Sequence, residues 1–485
     1  CRRITKMSVL QQISPHVKNI KPLDYALLTK RANQIKEELR QGVKKPYKQL
    51  LDLTWGDSHR TGVKPLSFVR QVLAACLYPE LLNSDKLPMD VKQRAKRLLG
   101  ICGGGSIGSY TATAGIPEVL HRIAEFLTRR DCGAPSYPKN IFISPGCQWS
   151  LMVTNILKVL VNSEASPRIG VLTPVPCYPT TTQSIMGLGG VVVPYHLSEK
   201  QGWELQIEEL HRALESAKGV CNPFALYVIN PGNPSGNVQS RKSIEEVIKF
   251  ASEKRLFLLA DEIYQDLVYG EKSEFISYKR VLTEMGPPFS NTVELASFHS
   301  ISKGFTGECG LRGGYVELVN LDPAVMKHIY KLFSKDICAP VLGQIALELM
   351  VNPPQPGDPS SPLYKMETQY IKASLTQNVK RLHDVVNSLP GFCCQPVQGG
   401  GFAFPRLNLP TPAIQKAKRA GMQPDTFYSI KLLEDAGVLV TPGCDYGQKE
   451  GTHHVRFGIM TSKDIMEEVL KRLTNFHTRF MKDFS

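Results

Sequence analysis

Lys303 ends the run "ASFHSISK", and Arg312 follows nine positions later, ahead of two glycines. A lysine drawn out of water loses proton affinity and becomes a nucleophile that condenses with a carbonyl to form a Schiff base. Arginine offers a planar fork of donors that fits a phosphate, and Ser300 and Ser302 add hydroxyls beside it. Asp261 and Glu262 stand directly after an apolar run in "LFLLADEIYQD". Carboxylates at the end of a buried strand need a partner, either an ion pair within the protein or a ligand's cationic nitrogen. A metal is disfavoured there, because no cluster at ligand spacing lies near and His299 reads as packed. Asn233 in "INPGNPSG" brings an amide donor that a tight Gly/Pro loop does not itself require. Tyr178, between prolines in "PVPCYPTTT", is a flat ring held for stacking or simply a packed turn. Gly146 in "SPGCQWS" opens a segment whose first N–H groups can cradle an anion.

Elements of two kinds must carry these residues. From about 100 to 320, short β-rich runs such as "RIGVLTP", "FALYVINP", "RLFLLADEIY" and "VELASFHS" alternate with helical spacings. Val119, Leu120, Ile123 and Leu127 form one helix face, and Ile244, Val247, Ile248 and Ala251 another. Such alternation predicts an α/β domain with a mainly parallel sheet flanked by helices. Ligands of such sheets bind beyond the carboxyl ends of the strands, where the candidates fall. A helical pattern over 8–42 stops at Gly42, and the Pro-rich "NPPQPGDPSSP" at 352–362 breaks the order. After it come a long helix, strands at "GFAFPRL", "GVLVTPG" and "HHVRFGI", and a final helix capped at Thr461 or Ser462. We therefore expect an arm over 1–50, a large α/β domain over 51–351 and a smaller α+β domain over 352–485, which the arm joins.

One cofactor suits the set. Pyridoxal phosphate needs a lysine for its aldehyde, a carboxylate for its pyridinium nitrogen, a stacking ring and an anion cradle. Composition is that of a soluble globular protein: 42% hydrophobic, 21% charged, with no apolar run long enough to span a membrane. The excess of 58 Lys+Arg over 44 Asp+Glu is scattered, without basic blocks, so we expect no nucleic-acid partner and instead attraction for small anionic substrates. Twelve cysteines without C-x-x-C pairs fit reduced thiols inside the cell, in cytoplasm or mitochondrial matrix. The opening "CRRITKM" reads equally as the end of a basic targeting peptide or as a simple boundary.

With "CGGGSIGSY", "NPGNPSG", "LFLLADEIYQD", "SFHSISKGF", "GECGLRGGYVE" and "GTHHVRFGIM", nearly the whole chain resembles the fold type I aminotransferases, and among them the alanine-specific enzymes. The resemblance implies ping-pong transfer of the amino group of L-alanine to 2-oxoglutarate through pyridoxal phosphate. It implies that Lys303 holds the cofactor and moves the substrate proton, and that Asp261 pairs with the ring nitrogen. Asn233 and Tyr264 would bond the ring hydroxyl oxygen, and Tyr178 would stack on the ring. Ser300, Ser302, Arg312 and the backbone at Cys147 and Gln148 would hold the phosphate. Arg456 would grip the substrate carboxylate, with Gly56 and Asn233 bordering the substrate. Tyr110 would reach the phosphate of a neighbouring subunit, which implies a homodimer.

The chain also departs from that pattern. Gly146-Cys147-Gln148 replaces Gly-Ala-Ser, "TWGDS" stands at 54–58, "QGGGF" at 398–402 and "PGCDYG" at 442–447. These changes leave two alternatives open: the same cofactor with another amino donor, or a cofactor-binding protein of low turnover.

Overall fold

A computed structural model describes residues 13–147, 156–160, 166–270 and 273–485. Its centre is a seven-stranded sheet. In spatial order the strands are Ile141–Ser144, Gly314–Val319, Leu295–Ser300, Phe257–Asp261, Asn222–Ile229, Ile169–Val175 and Val191–His196. Gly314–Val319 alone in this sheet runs against the rest. Phe257–Asp261 is buried throughout, as a parallel strand covered on both faces must be. The covering helices form where apolar residues recur at helical spacing. Pro117–Arg130 buries Val119, Leu120, Ile123, Ala124 and Leu127. Arg241–Lys254 buries Ile244, Val247, Ile248 and Ala251, and the Ser240 hydroxyl caps it by accepting from Ser243 N–H.

The smaller domain has its own core, around Val379, Leu382, Tyr428, Val455, Phe457, Met466 and Leu473. Val455–Gly458 pairs antiparallel with Phe402–Ala403 and with Thr441–Pro442. Its last helix, Lys463–Asp483, is capped by Ser462, which accepts from Ile465 N–H. Leu51–Asp52 pairs with Val438–Leu439, and Leu51 and Leu53 pack into the small domain's core. The helix Ser361–Ser388 packs Ile371 and Leu375 into the large core and Val379, Leu382 and Val386 into the small one. One helix thus contributes to both cores.

Of the helical pattern expected over 8–42, residues 8–12 lie outside the described residues, and the rest is carried by Pro15–Lys18 and Tyr25–Arg40, with Pro22 between them. A proline lacks the N–H a continuous helix needs. The longer helix buries Leu28, Ala32 and Ile35 against Leu433 and Leu439. Asp445 fixes its start: one oxygen accepts from Asp24 N–H at 2.7 Å and the other from Tyr25 N–H at 2.9 Å. The departure at "PGCDYG" thus docks the arm. Among the described residues no helix is long and apolar enough to cross a membrane.

Candidate active site

The carboxyl ends of the parallel strands open onto a cavity of about 450 Å³. Lys303, Asp261, Tyr178, Asn233, Tyr264, Ser302, Arg312, Arg456, Gly56 and Cys147 all line it. The site is built where the sheet meets the small domain, since Arg456 and Phe402 come from the latter.

Asp261 and Glu262 are adjacent but face different surroundings, because successive side chains along a strand alternate. Glu262 turns into the protein, accepting from Ser297 O–H at 2.6 Å and Tyr278 N–H at 2.8 Å. Burial pushes its carboxyl up to about 7, against the pull of Arg130. Asp261 faces the cavity. Its Oδ2 accepts from Tyr227 O–H at 3.0 Å, and its Oδ1 from Ile263 N–H at 3.2 Å and from the Cys147 thiol at 3.6 Å. No ion pair is formed by Asp261 among the described residues, and burial pushes it up to about 6.

Lys303 follows the strand Leu295–Ser300, and its ammonium donates to the Gly56 carbonyl. Burial lowers its proton affinity, Arg456 and Arg312 lower it further, and Cys309 and Asp57 oppose them. Position 56 lies close under both side chains: a Cβ there would stand 2.6 Å from Lys303 Nζ and 3.1 Å from Phe402 Cζ, so the lysine would have to shift. Arg312 sits at φ 59°, ψ 60°, a left-handed conformation that a non-glycine residue adopts at a cost of about 1 kcal/mol or more. Its Nη1 donates to Cys309 O at 2.8 Å. Its Nη2 lies so close to Gly146, at φ 113°, that a Cβ there would stand 2.6 Å away. The guanidinium therefore rests against the turn that was expected to cradle an anion.

Arg456 is 4% exposed. Nη2 donates to Thr54 O at 2.6 Å and Nη1 to Asn233 Oδ1 at 3.2 Å, while Nε has no hydrogen-bond partner among the described residues. Its guanidinium lies 3.7 Å from the Phe402 ring centre and 4.7 Å from that of Tyr446. The two aromatic departures thus sandwich it, an arrangement that stabilises a cation away from water. Because Arg456 holds the Asn233 oxygen, the Asn233 amide nitrogen is left to donate to Tyr264 Oη at 3.4 Å.

Not every expected residue joins the cavity. Ser300 is fully buried outside its lining, and its hydroxyl accepts from Ser302 N–H at 3.2 Å, shaping the turn before Lys303. Tyr110 is 76% exposed and lies apart from the lining. Gln148 and Trp149 lie outside the described residues. Sequence reasoning missed Tyr227, whose signal was a hydroxyl in the otherwise apolar "FALYVI". It also missed the Cys147 side chain and the Phe402–Tyr446 sandwich, which stood only as unexplained departures.

Comparison with known proteins agrees with this geometry. The chain is 46% identical over 485 residues to alanine aminotransferase 2 of Xenopus tropicalis, covering 100% of this chain and 92% of that protein. It is 46% identical over 480 residues to human alanine aminotransferase 1, covering 99% and 96%. The fold superimposes on the alanine aminotransferase of Pyrococcus furiosus with a TM-score of 0.73 at 20% identity, covering 96% of this chain and 99% of that one. The model of the family described as aminotransferase class I and II matches residues 73–473. The chain belongs to the class I and II aminotransferases.

Proposed function

We propose that the protein transfers the amino group of L-alanine to 2-oxoglutarate, leaving pyruvate and L-glutamate, with pyridoxal phosphate held beside Lys303. The observation that carries the reading is one cavity lined by the Lys303 nitrogen, the buried Asp261 carboxylate, which has no ion pair among the described residues, and the Arg312 guanidinium. Each of the three meets one of the cofactor's demands. Asp261 suits a protonated ring nitrogen. Arg312, resting on the Gly146 turn, suits the phosphate. Lys303 suits the aldehyde.

When bound, the cofactor supplies a ring that accepts the electron pair left as the substrate loses its α-proton. The protein does the rest. Asp261 would keep the ring nitrogen charged, and Tyr178, Asn233 and Tyr264 would orient the ring. Arg456 would fix the α-carboxylate of either substrate, so that amino acid and oxo acid use the site in turn. Lys303, with its lowered proton affinity, would take and return the α-proton. The 46% identity to proteins named alanine aminotransferases supports alanine as donor. Tyr110, exposed and close in sequence to the glycine-rich turn, would serve a second copy in a homodimer.

Adding L-alanine to the purified holoenzyme without oxo acid should change its visible absorbance and release one pyruvate per site. Full turnover should follow on adding 2-oxoglutarate. Alanine ranking far below another donor would reject the substrate, and unchanged absorbance with cofactor bound would favour a low-turnover binding protein.

The reading also sets a pH dependence. Asp261 titrates at about 6, above the ordinary 3.8. Below that point it is protonated and cannot pair with a cation, so affinity for pyridoxal phosphate should fall as pH drops, by up to about tenfold per unit. The same upward shift means the apoprotein takes up a proton on folding between about 4 and 6, so its contribution to stability declines as pH rises through that window. Asp261→Asn should flatten the affinity profile between pH 5 and 7. A variant that kept the slope would move its origin elsewhere.

A further inference from the structure

We infer that Cys147 is a positioning residue for Asp261: its thiol donates to the carboxylate and helps hold the negative charge that a ring nitrogen would meet. The role in cofactor binding rests on the function proposed above; the effect on Asp261 does not.

The geometry leaves Asp261 with few means of holding a charge. It is 1% exposed and has three donors among the described residues: Tyr227 O–H on Oδ2, and Ile263 N–H and the thiol on Oδ1. Two come from the central strands and the following turn. The third arrives from the turn after Ile141–Ser144, at the far side of the sheet. Close packing delivers it: a Cβ on Gly314 would stand 2.9 Å from Cys147 N, so the glycine lets this turn lie against the strand Gly314–Val319. Cys147 is itself 3% exposed, and burial holds its thiol well above the ordinary range. At neutral pH it is therefore an S–H donor and not a thiolate, which would repel the carboxylate. Among the described residues, the other titratable groups facing Asp261 are Tyr227, Cys177 and Tyr264, each raised by burial and so neutral near pH 7. Among the described residues no cation pairs with Asp261, so there the charge rests on hydrogen bonds, and removing the thiol leaves Oδ1 one of its two described donors.

The test reads the carboxyl directly. In the apoprotein, the infrared band of Asp261 is assigned by its loss in Asp261→Asn and titrated in wild type, Cys147→Ala and Cys147→Ser. Alanine should raise the midpoint by about half to one pH unit, a three- to tenfold gain in proton affinity. Serine, a stronger donor, should leave the midpoint at or below that of wild type. The pH profile for pyridoxal phosphate affinity should move with it. An alanine midpoint within about 0.2 units of wild type overturns the inference. If the alanine variant fails to fold, the serine variant decides, since a midpoint raised above wild type would exclude a donor role. Failure of wild type to bind pyridoxal phosphate would refute the proposed function while leaving the infrared result to judge Cys147.

Discussion

Lys303→Ala should lose transamination by at least about 10³-fold and lose the visible absorbance that depends on the lysine. The size follows from two duties on one nitrogen. A positioned acid/base contributes about 10²–10⁴-fold, and covalent capture of the aldehyde adds to that. Burial lowers the proton affinity of Lys303, and that is the condition for both. The ammonium makes its hydrogen bond to the Gly56 carbonyl, so shortening the side chain removes that bond but no core packing. The variant should accordingly fold, bind pyridoxal phosphate through Asp261 and Arg312, and regain part of its rate with small primary amines. Near-normal turnover in this variant would remove Lys303 from the chemistry.

Arg456→Met should lower kcat/KM for the amino acid by about 10²–10³-fold while changing cofactor affinity by less than about threefold. Loss of one partner of a buried charge pair costs about 3–5 kcal/mol, which sets that scale. Methionine keeps an apolar stem between Phe402 and Tyr446, so the sandwich stays filled. Asn233 loses its anchor but retains Tyr264. Arg456→Lys should rescue little, because a point charge cannot reproduce the fork that meets Thr54, Asn233 and a carboxylate together. Equal losses in substrate and cofactor binding would show that Arg456 serves structure instead.

The parallel sheet and its flanking helices were legible because periodicity and burial are local properties of each segment. Val119, Ile123 and Leu127 share a helix face whatever lies across from them. The strand-end positions of Asn233, Asp261 and Lys303 were legible for the same reason. Pairings between segments distant in sequence were not. Leu51–Asp52 pairs with residues almost four hundred positions away, and one continuous helix serves both cores. Neither fact leaves a local trace.

The sequence by itself determined the residue types, their order along the chain and their places after strands, and from these the class of chemistry. Only the tertiary structure decided which of two adjacent carboxylates faces the cavity, with Glu262 bonded to Ser297 and Asp261 to Tyr227. It alone brought Arg456 from the small domain onto Asn233, and turned the departures at Phe402, Asp445 and Tyr446 into a clamp on that arginine and a cap for the arm. The physical reason is that side-chain partners are fixed by packing between segments distant in sequence, whereas periodicity reports only which face of one segment is dry.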